Sequence, residues 1–82
     1  MEAKIILAYE SERDAGAITN AISPDNVKTP PGLTVKTVRR GSSVVTLVRC
    51  EGKFETFLAT INDLLAAVQV AEKAISIGYS SD

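Results

Sequence analysis

The sequence predicts an α+β fold, a three-stranded antiparallel sheet with two helices on one face, in the order strand-helix-strand-strand-helix. Two observations carry this prediction. Apolar residues alternate in three short segments and recur every three or four positions in two others. A Gly41-Ser42 pair separates two of the alternating segments, as in a hairpin. With 82 residues, 45% of them hydrophobic, the chain is expected to form one thin core in a single domain spanning 1–82.

The first strand and the first helix are predicted from local signals. Residues 3–9 alternate between two faces, one of them formed by Ala3, Ile5, Leu7 and Tyr9. Ser11 is a candidate N-cap with an aspartate three residues later, which favours a helix over 12–22. Pro24 disfavours helical geometry at the residue before it and should end that helix. The stretch 23–32 is predicted to be a loop because it contains three prolines.

A hairpin is predicted from residues 33–40 and 43–50. Glycine in the first central position of the turn favours type II′, and this turn places Val38 opposite Val45 and Lys36 opposite Leu47. One face of the hairpin mixes apolar and basic residues, which suggests a surface covered by something else. The other face is more apolar and is expected to meet the helices; it holds Leu33, Val35, Thr37, Arg39, Val44, Thr46, Val48 and Cys50.

The last helix is the clearest element. It is predicted to begin at Phe54, to run for about 22 residues, or about 33 Å, and to stop near Gly78. A sheet of three strands is only about 14–15 Å wide, so the helix should have apolar length to spare for partner helices. Its apolar positions follow the spacing of an amphipathic helix: Phe54, Phe57, Ile61, Leu64, Val68, Ala71 and Ile75.

Charge is distributed unevenly in a chain whose net charge is −1. No acidic residue lies between Asn26 and Cys50, and the basic residues there fall mostly on the hairpin. Such a segment can contact nucleic acid or an acidic partner, or it can simply carry solvated cations at strand edges. Both interpretations stay open. The candidate RNA-binding residues are Lys36, Arg39, Arg40, Arg49 and Lys53.

The usual chemistry of an enzyme is missing from the sequence. There is no histidine and only one cysteine, so a zinc site is not expected. Neither a P-loop nor a dinucleotide-binding glycine motif is present, and no cofactor is expected. Cys50 is predicted to be a small buried hydrophobe; an enzyme that uses it as a nucleophile is the weaker alternative. No targeting segment or membrane span is expected, and a cytoplasmic location is the default.

The last helix contains the segments FLATINDLL (57–65) and VAEKAI (70–75). Together with the element order, these resemble the signature helix of the small dimerising subunit of the KEOPS complex, the Pcc-type family. That family usually shows Leu-Arg-Ala-Ala-Leu-Asn-Ser near the middle of the helix and an Ala-Glu pair near its end. Asn62 and the pair Ala71-Glu72 are the most telling matches. Leu58 and Asp63 stand where the family has arginine and serine.

This resemblance implies a non-catalytic, homodimeric subunit in an archaeal or eukaryotic complex that makes threonylcarbamoyladenosine on tRNA. In that family the helices dock against the catalytic subunit, and the assembled complex binds tRNA. The candidate residues for the surface that docks the catalytic subunit are Ile18, Ile22, Phe57, Ile61, Leu64 and Val68; this stripe is expected to be divided between that surface and the domain's own core. The dimer could form through strand edges or through the mixed sheet face; for the sheet face, the residues expected at the interface are Ile6, Val38, Val45 and Leu47.

Besides the enzyme that uses Cys50, two alternatives to the scaffold function remain. The first is a stand-alone RNA-binding module that uses the basic hairpin 33–50. The second is a domain that regulates or oligomerises something unrelated. Neither membrane binding nor a small-molecule substrate is expected.

Overall fold

A computed structural model of the protein describes residues 1–23 and 31–79, with side chains described up to residue 75. The predicted α+β fold is confirmed, with strands and helices in the expected order. Most of the predicted loop 23–32 lies outside the described residues. The elements are β1 (Glu2–Ala8), α1 (Glu12–Ile22), β2 (Leu33–Arg40), β3 (Ser43–Cys50) and α2 (Phe54–Tyr79).

Strand β1 and helix α1 follow their local signals closely. The strand begins and ends one residue earlier than predicted, although Tyr9 still donates its backbone N–H to the Ser42 carbonyl at 2.9 Å. Helix α1 has the predicted bounds. Ser11 caps it, because its Oγ accepts a hydrogen bond from the Asp14 backbone N–H at 3.1 Å. Ser23 is extended, as expected for a residue before proline.

The sheet has the strand order β1-β3-β2, with both pairings antiparallel. The predicted hairpin register is confirmed, with Val38 opposite Val45. Gly41 has a φ of 60°, which the first central position of a type II′ turn requires. On the other side of β3, Ile6 is also opposite Val45. Since β3 is central, β1 and β2 are the two edge strands, a point that the sequence left open.

The core lies between the sheet and the two helices. Thr46, the buried polar residue on β3, shares a hydrogen bond with Thr37, with 3.0 Å between the hydroxyl oxygens. Its burial therefore leaves no unpaired hydroxyl. Cys50 is buried on the helix-facing side, as predicted. The buried apolar core residues are Ala15, Ile18, Ile22, Val44, Val48, Cys50, Leu64 and Val68.

Helix α2 is longer than the sequence predicted. It continues through Gly78 to Tyr79, so the prediction that this glycine stops the helix is wrong. Glycine is favoured at the position just after a helix, but it is tolerated inside a helix at a cost in stability of about 1 kcal/mol. The helix is tied to the end of β1 by a side-chain contact. The Tyr9 hydroxyl donates a hydrogen bond to Glu72 Oε2 at 2.8 Å.

Candidate functional site

The side of the sheet that faces away from the helices, called the open face below, is a regular grid of side chains. Alternate residues of each strand point to this side, and the strand register aligns them in rows. The four rows, read from β1 through β3 to β2, are Glu2-Arg49-Thr34, Lys4-Leu47-Lys36, Ile6-Val45-Val38 and Ala8-Ser43-Arg40.

The centre of the open face is apolar. Ile6 is 59% exposed, Leu47 46% and Val38 37%, while Val45 between them is half-buried. The structure therefore brings together the four residues that the sequence analysis assigned to a dimer interface. They line part of an open hollow of about 430 Å³. A contiguous apolar patch with a polar rim is typical of a surface that binds another molecule.

Basic side chains surround this apolar centre. Three of the five predicted RNA-binding residues, Lys36, Arg40 and Arg49, lie on the open face. Lys4 joins them from β1, because it occupies the same row as Leu47 and Lys36. The sequence analysis missed Lys4 because it grouped only basic residues from the hairpin and from the connection directly after it. The alternation of β1 places Lys4 and Ile6 on one face, and this pattern in the sequence could have identified Lys4.

The other two predicted RNA-binding residues do not belong to this surface. Arg39 lies on the helix side of the sheet, where its guanidinium is 3.8 Å from a Glu12 carboxylate oxygen and donates to the Gly41 carbonyl at 2.8 Å. The alternation of β2 dictates this side. Lys53 lies in the connection between β3 and α2, outside the strands. The candidate basic surface is therefore Lys4, Lys36, Arg40 and Arg49.

One carboxylate partly offsets these cations. Glu2 Oε1 lies 3.3 Å from Arg49 Nε, and both side chains are about two-thirds exposed. An ion pair this exposed contributes about 0–1 kcal/mol to stability. With four cations and one carboxylate, the open face carries a net charge of +3 although the whole chain carries −1.

The helices offer a second candidate surface, but not through most of the residues that the sequence analysis named. Ile18, Ile22, Leu64 and Val68 are buried in the core of this chain. Their assignment to a partner-binding surface is corrected, because α1, α2 and the sheet already cover them. The remaining two, Phe57 and Ile61, are only partly exposed. The apolar stripe of α2 is therefore largely used within the domain.

A flank of α2 beside that stripe is exposed and apolar. Phe54 is 59% exposed, Leu58 46% and Leu65 40%. With 3.6 residues per turn, these three positions lie within about 40° of one another around the helix axis. They form what we call the α2 flank. Val70, 69% exposed, points in a different direction, about 120–160° away around the axis.

Helix α2 is also long and apolar enough, by length and composition, to cross a membrane over Phe54–Ile75, where the mean hydropathy is 1.2. A single such helix is weak evidence for a membrane span. Asp63 lies close to the midpoint of this segment and is exposed. A carboxylate at the centre of a bilayer costs about 2.5–3.5 kcal/mol, so the position of Asp63 disfavours a membrane span.

The notable features among the described side chains are two exposed surfaces, the open face and the α2 flank. No group of these side chains is arranged like a recognisable catalytic site. Within residues 1–23 and 31–75, no group of three or more Cys, Asp or Glu could hold a metal ion. Burial raises the pKa of the Tyr9 hydroxyl well above its ordinary value, and the hydrogen bond to Glu72 and its negative charge raise it further. Tyr9 is therefore held in its neutral form. It links the end of β1 to α2 and is not an activated base.

Comparisons with known proteins identify the fold. No protein family matches the sequence. No curated protein matches it either. Among solved structures, a chain in the crystal structure of the binary complex Gon7-Pcc1 superimposes with a TM-score of 0.81. The match covers 94% of both chains at 16% sequence identity, so it shows a shared fold.

Proposed function

We propose that this chain is a non-catalytic subunit of a KEOPS-type complex, where it joins other subunits of the tRNA-modifying assembly. The observation that carries the proposal is the exposed apolar flank of α2. This flank belongs to the same helix whose sequence resembles the Pcc-type signature.

Two observations support the family assignment. The first is the sequence of α2, with Asn62 and the pair Ala71-Glu72 at the matching positions. The second is the fold, which is shared with a chain of the Gon7-Pcc1 complex over nearly the whole length.

The α2 flank is proposed to dock the helices of the catalytic subunit. Leu58 stands where the family usually has arginine, so this contact would be more apolar here than in the family. Full burial of a leucine side chain contributes about 1.5–3 kcal/mol. Phe54 and Leu65, on the same side of the helix, would extend the contact along about 17 Å of its length.

The open face is proposed to pair with a second small subunit through Ile6, Val38, Val45 and Leu47. The cations around this patch would assist tRNA binding only as part of the assembled complex, which we place in the cytoplasm. With only four cations on one face, the isolated chain could contact few phosphates by itself.

The test is co-expression with the KEOPS catalytic subunit of the same organism, read by size-exclusion chromatography with light scattering. We expect a stable complex with the wild-type chain and its loss with Leu58→Asp. Val70→Asp is the matched control, because it introduces the same charge at an exposed position on a different side of α2. We expect it to leave the complex intact.

Two outcomes would contradict the proposal. The first is no association between the folded wild-type chain and the catalytic subunit. The second is equal loss of binding in both variants while circular dichroism shows both to be folded. That result would mean that the α2 flank is not the docking surface.

A further inference from the structure

We propose that the hydrogen bond between Tyr9 and Glu72 fixes the rotation of α2 against the sheet, so that these two side chains are positioning residues for the α2 flank. The inference rests on the proposed function, because it names what holds the docking surface in place. It is carried by the location of the bond, which lies on the flank side of α2 and far from the start of the helix.

One end of α2 is held by the chain itself. Residues 51–53 are a short connection from β3 to the start of α2 at Phe54. The backbone N–H of Phe57 donates to the Lys53 carbonyl at 3.2 Å, which ties the first turn of the helix to this connection. Glu72 lies about 27 Å farther along the helix axis than Phe54. The connection therefore constrains the far end of α2 only weakly.

The apolar core also constrains the far end weakly. Val68, which is 4% exposed, is the last buried residue of α2 among the described side chains. Beyond it, Ala71 and Ile75 are only partly buried against the core. Apolar contacts favour burial but have no preferred direction, so they tolerate a rotation of the helix. A hydrogen bond has a preferred geometry and therefore restricts such a rotation.

The bond between Tyr9 and Glu72 supplies a directional contact at this far end. The Tyr9 hydroxyl donates to Glu72 Oε2 at 2.8 Å. A hydrogen bond to a carboxylate is about twice as strong as one between neutral groups. Tyr9 is itself held in place, because its backbone N–H donates to the Ser42 carbonyl at 2.9 Å and its side chain packs against the core. The sheet thus offers a fixed donor to the helix.

The bond lies on the side of α2 that carries the flank. About 18 residues make five turns of an α-helix, so Glu72 is in line with Phe54 along the axis. Around that axis it lies within about 40° of Leu58 and about 20° of Leu65. Adjacent residues differ by about 100°, and Leu64 is 9% exposed while Leu65 is 40% exposed. A rotation that broke the bond would therefore change which residues the flank presents.

Glu72 belongs to the Ala71-Glu72 pair that matches the Pcc-type signature. An exposed carboxylate in line with a docking surface could act in either of two ways. It could contact the catalytic subunit directly, or it could act within the chain through Tyr9. The observed bond favours the second way, because it already occupies one of the two carboxylate oxygens.

The experiment is a double-mutant cycle on binding to the catalytic subunit, measured by isothermal titration calorimetry. Its variants are Tyr9→Phe, Glu72→Ala and the two combined. We expect each single variant to weaken binding by about two- to tenfold, which corresponds to the loss of one typical hydrogen bond. The double variant should bind no more weakly than either single variant, because each change removes the same bond. Glu72→Gln keeps an acceptor oxygen and should bind more tightly than Glu72→Ala.

Two further measurements separate positioning from a loss of stability. Val48→Ala truncates a buried residue of β3 and should lower stability by at least as much, yet leave the affinity of the folded chain unchanged. Hydrogen exchange of the isolated chain follows the helix itself. Tyr9→Phe should speed the exchange of the backbone amides at 69–75 more than that of the amides at 57–64, because the bond holds the far end.

Four results would overturn the inference. The first is wild-type affinity in Tyr9→Phe with weaker binding in Glu72→Ala, which would make Glu72 a direct contact of the partner. The second is a double variant in which the two losses of affinity add. The third is wild-type affinity in both single variants. The fourth is unchanged hydrogen exchange at 69–75 in Tyr9→Phe.

Failure here is distinguishable from failure of the proposed function. A wild-type chain that does not bind the catalytic subunit would contradict the proposed function, and hydrogen exchange, which needs no partner, would still test whether the bond holds α2. Loss of binding in Leu58→Asp together with wild-type affinity in Tyr9→Phe and Glu72→Ala would retain the proposed function and remove only this inference.

Discussion

At the scale of single residues, the alternation of the strands decides which side chains can act together. Arg39 and Arg40 are neighbours in sequence, yet Arg40 lies on the open face and Arg39 reaches Glu12 on α1. The period of two in a strand gives this separation without any structure. The sequence analysis placed Arg39 on the helix-facing side correctly, yet it grouped Arg39 by sequence proximity with basic residues of the other face as one RNA-binding set.

The contact between Tyr9 and Glu72 gives a prediction about stability and pH. Removing the hydroxyl in Tyr9→Phe should lower the free energy of unfolding at pH 7 by about 0.5–1.5 kcal/mol, the net contribution of a typical hydrogen bond. The pKa of Tyr9 is raised in the folded state. Its contribution is therefore fully present below the unfolded pKa near 10 and is lost as the pH rises above it.

Urea denaturation of both proteins between pH 7 and pH 11 checks this prediction. The difference in stability between the wild-type chain and Tyr9→Phe should shrink above pH 10, since the unfolded wild-type tyrosine then ionises. A difference that grows with pH in that range would contradict the sign of the pKa shift.

Burial of Cys50 gives a second prediction at this scale. The side chain is 1% exposed, so a thiol reagent should reach it only when the chain opens. We expect labelling by a disulfide reagent to be at least about 100-fold slower in buffer than in urea, because a domain of ordinary stability is open only rarely. Rapid labelling of the folded chain would revive the alternative of a reactive cysteine.

At the scale of secondary-structure elements, the sequence predicted the elements well and their surfaces less well. The bounds of α1 and the register of the hairpin follow from a cap and a turn, which are local signals. The strand order β1-β3-β2 could not be predicted, because an antiparallel β1 can pair with either strand of the hairpin. This order brings Lys4 beside Leu47.

The division of the α2 residues between core and surface could not be predicted either, because it also depends on which elements pack together. Its apolar residues cover more than half of the helix circumference, and the sequence alone does not say which of them meet α1 and the sheet. Leu64 is 9% exposed and Leu65 40%, although they are adjacent leucines on the same helix. Tertiary packing, which no local signal encodes, makes this distinction.

These two leucines provide a matched test of the helix packing. Leu64→Ala removes side-chain atoms from the core and should lower the free energy of unfolding by about 2–4 kcal/mol. Leu65→Ala makes the same change on the α2 flank, where we expect a loss of less than about 1 kcal/mol. Chemical denaturation of both variants compares them directly. Similar losses would mean that Leu65 is buried in solution, for instance within an oligomer.

At the scale of the whole molecule, charge separates the two sides of the chain. The open face is basic, and among the described residues the helices carry most of the exposed carboxylates. A net charge of −1 conceals this polarity. It distinguishes two candidate surfaces: an apolar flank among acidic residues on α2, and an apolar centre among cations on the sheet.

This polarity also limits how tightly the isolated chain could bind tRNA. The open face could make at most four phosphate contacts, and Glu2 competes for Arg49. Four contacts to single-stranded RNA predict that log affinity falls with log salt with a slope of about −3, and fewer contacts give a shallower slope. If the chain is a scaffold, we expect weak binding with a slope nearer −1 to −2.

Fluorescence anisotropy of labelled tRNA in a salt series measures both the affinity and its slope with salt, with Lys36→Glu compared with Lys73→Glu. Tight binding with a slope near −3 that only Lys36→Glu weakens would favour the stand-alone RNA-binding module, because the chain would then bind RNA without the other subunits.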